Sequence, residues 1–142
     1  MIKVIFLCMS LLVVTNVHAI KYSENEMECL SLNAYFESKG ESDKGMLAVI
    51  HTTLNRVKDK RFPKTVCGVV YQKSQYSWTK YNPKVKEQEQ YARAERLAKE
   101  VIAGKHKDST YGALYFVHVK INRNWLEKLT YTCTIGNHKF FK

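Results

Sequence analysis

The sequence predicts an α+β fold, with helices in the N-terminal two-thirds and a small antiparallel β-sheet in the C-terminal third. Two observations carry that prediction. Between residues 23 and 103, apolar positions recur at three- and four-residue spacing in segments bounded by capping residues and glycines. After residue 112 the period changes. Ala113 to Val117 is a short apolar run, and Tyr131 to Ile135 alternates before the two-residue turn signal Gly136-Asn137. At 142 residues the chain can bury one core of its own and is too short for two ordinary domains.

Each element has a local reason. Ser23-Glu24-Asn25-Glu26 is a capping box, so a first helix starts there. Met27, Leu30, Ala34 and Glu37 fall on one stripe of it, and Gly40 is its expected stop. Ser42 or Asp43 caps a second helix with Met46, Val49, Ile50, Thr53 and Val57 on its inward face. Pro63 suits the first turn of a short helix, Lys64 to Tyr71. Ser74 to Trp78 alternates small polar with large residues and reads as a strand or an extended loop. Residues 84–103 carry a long helical pattern, with Tyr91, Ala94, Ala98, Val101 and Ile102 as its apolar stripe and Gly104 as its end. The charge run from Lys84 to Lys99 is the solvated face of that helix. Ala113 to Val117 reads as a buried strand, and His138 to Phe141 returns from the Gly136-Asn137 turn.

The first 19 residues read as an export signal: a basic start at Lys3, an apolar run from Val4 to Val14, and the small-residue cleavage pattern Val17-His18-Ala19. The domain is then residues 20–142, and the expected location is exported: secreted, periplasmic or wall-associated. If uncleaved, residues 1–19 would be a weak membrane anchor. Removing them takes away only one charged residue, leaving 22 basic against 13 acidic side chains, a formal charge of +9. Such a balance draws the protein to anionic wall polymers, lipid headgroups or stray nucleic acid. Cys29, Cys67 and Cys133 remain, so one disulfide and one free thiol are expected in an oxidising compartment. Cys29–Cys67 is the favoured pair, because it would tie the first helix to the later short one.

Chemistry concentrates at Ala34-Tyr35-Phe36-Glu37-Ser38-Lys39-Gly40-Glu41. Glu37 follows two aromatics at the negative end of a helix, and both features favour the protonated carboxyl that a general acid needs. Stability alone would favour Lys or Arg there, by about 0.3–1 kcal/mol. Glu41 has a simpler account as an acid at the start of the next helix, and a functional one as a carboxylate that assists substrate or orients Glu37. Tyr35, Phe36, Tyr76, Trp78, Tyr81, Tyr115, Phe116 and Trp125 are many aromatics for this length; most belong to a core, and those beside polar residues, notably Gln75-Tyr76-Ser77-Trp78, could line a groove for sugar rings. His51, His106, His118 and His138 make no local metal motif, and there is no Gly-x-Ser-x-Gly elbow or phosphate-cradling loop. A Cys133/His138 nucleophile pair is disfavoured by the in-strand place of Cys133. No cofactor or metal is expected.

Several runs together resemble the SleB-like cell-wall hydrolases. They are Cys29 to Glu41, Gly45-Met46 with Ala48-Val49, Leu54 to Val57, Arg61-Phe62-Pro63, Val66-Cys67 with Val69 to Gln72, and Gln75 to Trp78. Gly112 to Phe116, Trp125, and Thr134 to His138 with Phe140 follow in the same order, so the match covers roughly residues 27–141. Two departures stand out. Val117 intervenes before His118, where the family usually has histidine directly after the apolar run; a strand step reverses the face, so a bulge must restore the aim of His118 or its role is lost. The proline often found before Trp125 is also missing.

The resemblance implies a lysozyme-like domain that acts on peptidoglycan glycan strands, working as a monomer with no nucleic-acid partner. It maps the catalytic acid onto Glu37. It implies a lytic transglycosylase, in which one glutamate serves as acid and then base and the product carries a 1,6-anhydro-muramic end. Glu41, Gln75, Tyr76, Trp78, Tyr115 and His118 are the expected substrate contacts. The alternatives are a hydrolytic muramidase or glucosaminidase on the same substrate, and a non-catalytic cationic wall-binding protein.

Overall fold

The computed structural model describes residues 21–142; the export-signal reading of residues 1–19 lies outside the described residues. Four helices precede a three-stranded antiparallel sheet: α1 (Glu24–Ser38), α2 (Asp43–Lys58), α3 (Val66–Val70), α4 (Gln88–Ile102), β1 (Tyr115–His118), β2 (Tyr131–Ile135) and β3 (His138–Phe141). Two 3-10 turns, Ser77–Lys80 and Asn124–Lys128, complete the chain. The α+β class is thus the one the sequence predicts. Among the described residues no helix is long and apolar enough to cross a membrane.

Helix α1 starts at the capping box: Ser23 Oγ accepts the Glu26 N–H at 3.2 Å and the Glu26 carboxylate accepts the Ser23 N–H. Glu26 also accepts the N–H of Val66 at 3.2 Å, so one carboxylate serves the starts of α1 and α3. The expected single apolar stripe is too narrow a description. Cys29, Leu30, Ser31, Asn33, Ala34, Tyr35 and Ser38 are all buried, because α2, α3 and α4 pack around α1. Met27 of the expected stripe is only partly buried. The polar members bond within the protein: Ser31 Oγ donates to the Met27 carbonyl at 2.7 Å and Ser38 Oγ to that of Ala34 at 2.6 Å. Asn33, fully buried, donates to Thr53 Oγ1 at 3.1 Å and accepts from Trp78 Nε1 at 3.0 Å. It therefore ties α1 to α2 and to the first 3-10 turn.

The disulfide is Cys29–Cys67, with the Cα atoms 5.3 Å apart, joining α1 to α3 as expected; Cys133 is free. Several boundaries move. Helix α3 begins at Val66, capped by Thr65, and Pro63 lies outside it. The segment from Ser74 to Trp78 holds no strand: it turns through Ser74, in a positive-φ conformation, and enters a 3-10 turn at Ser77. Helix α4 begins at Gln88 rather than residue 84. The N–H groups of Lys86 and Glu87 donate instead to the Tyr35 hydroxyl, which holds that stretch extended. Strand β1 starts two residues late, at Tyr115, since Ala113 and Leu114 are buried in the approach to it. Helix α1 ends where Gly40 is expected to stop it, with Lys39 as the C-cap and Gly40 directly after it, but the cap is right-handed and Gly40 does not take a positive φ.

In the sheet β3 is central, in the order β1-β3-β2, with His118 opposite His138 and Phe116 opposite Phe140. Its buried face packs on α2 through Ala48, Ala113, Ile135 and Phe140. The β2–β3 hairpin turns at Gly136-Asn137 as expected, and Gly136 has φ +55°. A Cβ at Gly136 would also collide with the Glu41 carboxylate.

The disulfide closes a separation of 38 residues, which in the chain-entropy account stabilises the fold by about 3–4 kcal/mol. Replacing Cys29 and Cys67 together by Ser should lower the urea midpoint accordingly, and reductant should then have no further effect. An unchanged midpoint would show that the bridge contributes nothing.

Candidate functional site

Glu37 is the penultimate residue of α1, and its place follows from how the residues around it pack. The Phe36 ring stacks on Trp78, with centroids 4.7 Å apart and planes at 26°. Tyr35 is buried beside it, edge-on to both Phe36 and Tyr91, and its hydroxyl donates to the Glu87 carboxylate. Lys39 also pairs with Glu87, at 2.9 Å, so the last turn of α1 is bolted to the start of α4. No basic residue lies in that last turn. Just beyond it, Arg93 of α4 donates to the main-chain oxygens of Lys39 at 3.2 Å and Glu41 at 2.9 Å.

With its neighbours so committed, Glu37 is half-buried, and its carboxyl has no hydrogen-bond or ion-pair partner among the described residues. Burial pushes its pKa up to about 7, and the positive charge of Arg56 opposes that rise. Arg56 is itself buried in α2. Its guanidinium lies 5.2–5.5 Å from the ring centroids of Phe62, Tyr76 and Tyr115. Its Nε donates to the Leu114 carbonyl at 2.6 Å and one Nη to Gln75 Oε1 at 2.9 Å. Arg56 has no separate role in the sequence reading. A lone charge beside the inward-facing Ile50, Thr53 and Val57 was the available signal.

Glu37 lies where two clefts meet. The larger, about 470 Å³, is walled by Ser74, Gln75, Ser77 and Lys80 on one side and by Val117, Ile121, Arg123 and Trp125 on the other. The smaller, about 250 Å³, is bounded by Lys39, Glu41, His118, Asn137 and His138. A slightly larger concavity, about 500 Å³, lies between α1 and α4 and does not include Glu37. Among the described residues no three His, Cys, Asp or Glu side chains converge as metal ligands.

The expected contact residues divide. Gln75 lines the larger cleft, and Glu41 and His118 line the smaller. Tyr76 and Trp78 are buried in the main core and line neither. Trp78 faces Asn33 and Phe36, and Tyr76 faces Arg56, so both back the groove wall from behind. Tyr115 packs between Phe62, Trp125 and Arg56, also outside the clefts. Strand β1 pairs with β3 in regular register from Tyr115 to His118, and the sheet's one shift lies in β2, between Tyr131 and Cys133. No bulge re-aims His118. Val117 and His118 point to different clefts, which is what one strand step requires.

Glu41 is the carboxylate already engaged. Only 10% exposed, it accepts the Asn137 N–H at 3.1 Å, and His138 Nδ1 lies 3.6 Å away. Burial holds His138 below the usual imidazole range, Glu41 opposing and His118 adding to that shift, so His138 is neutral at pH 7. Glu41 thereby fastens the α1–α2 loop to the hairpin turn. Lys80 and Arg123 are site-lining residues that the sequence did not single out, since the segments carrying them have no pattern that marks them; Asn137 reads there only as a turn residue.

A sequence profile described as Cell Wall Hydrolase matches residues 40–141, a span that begins just after Glu37. The chain is 30% identical over 124 residues to a spore cortex-lytic enzyme of Bacillus cereus, an alignment covering 85% of this chain and 46% of that protein. The chain therefore spans about half the length of that relative. A spore cortex-lytic enzyme of Oceanobacillus iheyensis is 32% identical over 73 residues, 46% of this chain and 26% of the relative. Among solved structures, the catalytic domain of the Bacillus cereus SleB protein superimposes with a TM-score of 0.74 at 28% identity, covering 87% of this chain and 94% of that one. The catalytic domain of the germination-specific lytic transglycosylase SleB from Bacillus anthracis gives the same TM-score and identity, over 87% and 98%.

A buried carboxyl that titrates near 7 costs stability wherever the unfolded chain ionises it more readily. Its folded pKa is raised, so the penalty is absent below about pH 4.5, grows between 4.5 and 7, and is constant above. Glu37→Gln should stabilise the protein by about 1–3 kcal/mol at pH 8 and by nothing at pH 4. Urea unfolding at the two pH values measures this; equal effects at both would refute the raised pKa.

Proposed function

The chain belongs to the cell wall hydrolase family, and we propose that it cleaves peptidoglycan glycan strands as a lytic transglycosylase with Glu37 as its one acid–base group. The observation that carries this reading is a single half-buried, unpaired carboxyl with a pKa near 7, set where two clefts meet. A strand lying along both clefts would present one glycosidic bond to Glu37. The domain's similarity to a germination-specific lytic transglycosylase supports the same reaction class.

In this reading Glu37 donates its proton to the bridging oxygen as the bond from C1 of N-acetylmuramic acid to O4 of N-acetylglucosamine breaks. Positive charge develops at C1, where the substrate's own acetamide helps to stabilise it. The muramoyl C6 hydroxyl then attacks C1, and its proton passes to the Glu37 carboxylate. The carboxyl is restored, no water is consumed, and the product end is a 1,6-anhydro sugar. The commitment of Glu41 to the Asn137 N–H supports a one-carboxylate scheme over two carboxylates flanking the bond. Gln75 and His118 are the proposed substrate contacts, from opposite clefts, and Glu41 shapes the smaller one.

Two outcomes test the proposal with residues 20–142 on isolated sacculi. Glu37→Gln should lower the rate of wall solubilisation by about 10²–10⁴-fold, and mass spectrometry of wild-type digests should find anhydro-muramic ends. Reducing ends in their place would favour the hydrolytic reaction, and an equally active variant would remove Glu37 from the chemistry. The free enzyme must begin protonated, so kcat/KM should fall about tenfold per unit once the pH passes the Glu37 pKa near 7. A flat profile to pH 9 would contradict that role.

A further inference from the structure

The larger cleft holds two cations that the acid–base scheme does not use. Lys80 closes the 3-10 turn Ser77–Lys80, and Arg123 precedes the turn Asn124–Lys128. Both are exposed, both line the cleft with Glu37, and neither forms an ion pair or hydrogen bond among the described residues. The other four arginines are all committed: Arg56 to Gln75 and the Leu114 carbonyl, Arg61 to Asp59, Arg93 and Arg96 to Asp43. Lys80 and Arg123 do not set the Glu37 pKa either, because the charge acting on that carboxyl is that of Arg56. Their chemistry therefore faces the cleft.

The rest of the lining suits a substituted sugar. Trp125 offers a ring that is 46% exposed, a surface on which a sugar face can stack. Ser74, Gln75 and Ser77 supply hydroxyl and amide groups on the facing wall. Ser74 holds φ +65°, a conformation costly for a residue with a side chain, at the corner that forms this wall. Apart from Glu37 itself the lining contains no acidic residue.

We propose that the larger cleft selects an acidic sugar: Lys80 and Arg123 receive a carboxylate carried on the 3-O-lactyl arm of the muramoyl residue, while Trp125 covers the sugar face. The proposal rests on the glycan-cleaving reading of the site, and it assigns the sugar that bears the acid to this side of Glu37. The carboxylate has two sources, the lactyl group itself in bare strands and the stem peptide in substituted ones. The shared chemistry is an anion held between an ammonium and a guanidinium.

Binding to the Glu37→Gln protein, read by tryptophan fluorescence or calorimetry, tests this without relying on turnover. Three soluble ligands are compared: peptide-bearing strands, strands stripped of peptide, and stripped strands whose lactyl carboxylates are converted to methylamides. Both acidic ligands should bind about five- to tenfold more tightly than the neutral one, and the gap should shrink at high salt. Tight binding of peptide-bearing strands alone would identify the stem peptide as the source; tight binding of both would identify the lactyl group. Adding Lys80→Gln and Arg123→Gln should erase the gap, whereas Lys105→Gln with Lys107→Gln, which removes equal charge away from both clefts, should preserve it. Equal binding of all three ligands, no binding of any, or loss of the gap in the Lys105/Lys107 variant would overturn the proposal. Wild-type cleavage of stripped and methylamidated strands, run in parallel, separates the two readings: equal cleavage of both leaves the transglycosylase reading standing while this one falls.

Discussion

The packing of α1 among α2, α3 and α4 is the constraint from which the site follows. A helix packed by three others leaves little of its surface to solvent: Glu24, Asn25 and Glu28 stay exposed toward its start, and Glu37 is half-buried at its end. Its C-terminal end opens toward the sheet, and there Glu37 meets water on one side and packed rings on the other. Removing solvent from one face of a carboxyl raises the cost of its charge more than the helix dipole does, so burial leads and Arg56 restrains. The same enclosure explains why α1 carries buried serine and asparagine: Ser31 and Ser38 turn back onto their own helix, and Asn33 spans to Thr53 and Trp78.

The apparatus around Glu37 consists of groups committed to one another, which leaves it as the uncommitted one. Tyr35, Lys39 and Glu87 fix the end of α1 to the start of α4. Arg93 takes the carbonyls beyond it. Glu41 holds the hairpin turn, and Gly136 leaves the space for its carboxylate. Each contact is worth about 1 kcal/mol or less where exposed and more where buried. Together they hold a destabilised carboxyl in one place, and a site of this kind draws its stability from elsewhere in the fold, here from the Cys29–Cys67 bridge and the core around α1.

Legibility in the sequence followed the range of the interaction responsible. The starts of α1 and α2 were readable because Ser23 and Ser42 act on N–H groups three residues away. The β2–β3 hairpin was readable because its turn is two residues long. The start of α4 was not, because Tyr35 hydrogen-bonds the backbone at 86 and 87 from across the chain. The segment from Ser74 to Trp78 alternated like a strand, but Trp78 and Tyr76 are drawn inward by Asn33 and Arg56, and the backbone turns to let them go.

By itself the sequence determined the α+β class, the disulfide partners, the family resemblance and the singling out of Glu37, because each rests on residue types at short spacing or on an ordered series of local runs. Only the tertiary structure decided that Glu41 is spent on Asn137, that Tyr76, Trp78 and Tyr115 stand behind the groove, and that Lys80 and Arg123 face into it. Those roles depend on which atoms meet across tens of residues, and burial and charge at a point in space have no counterpart along the chain.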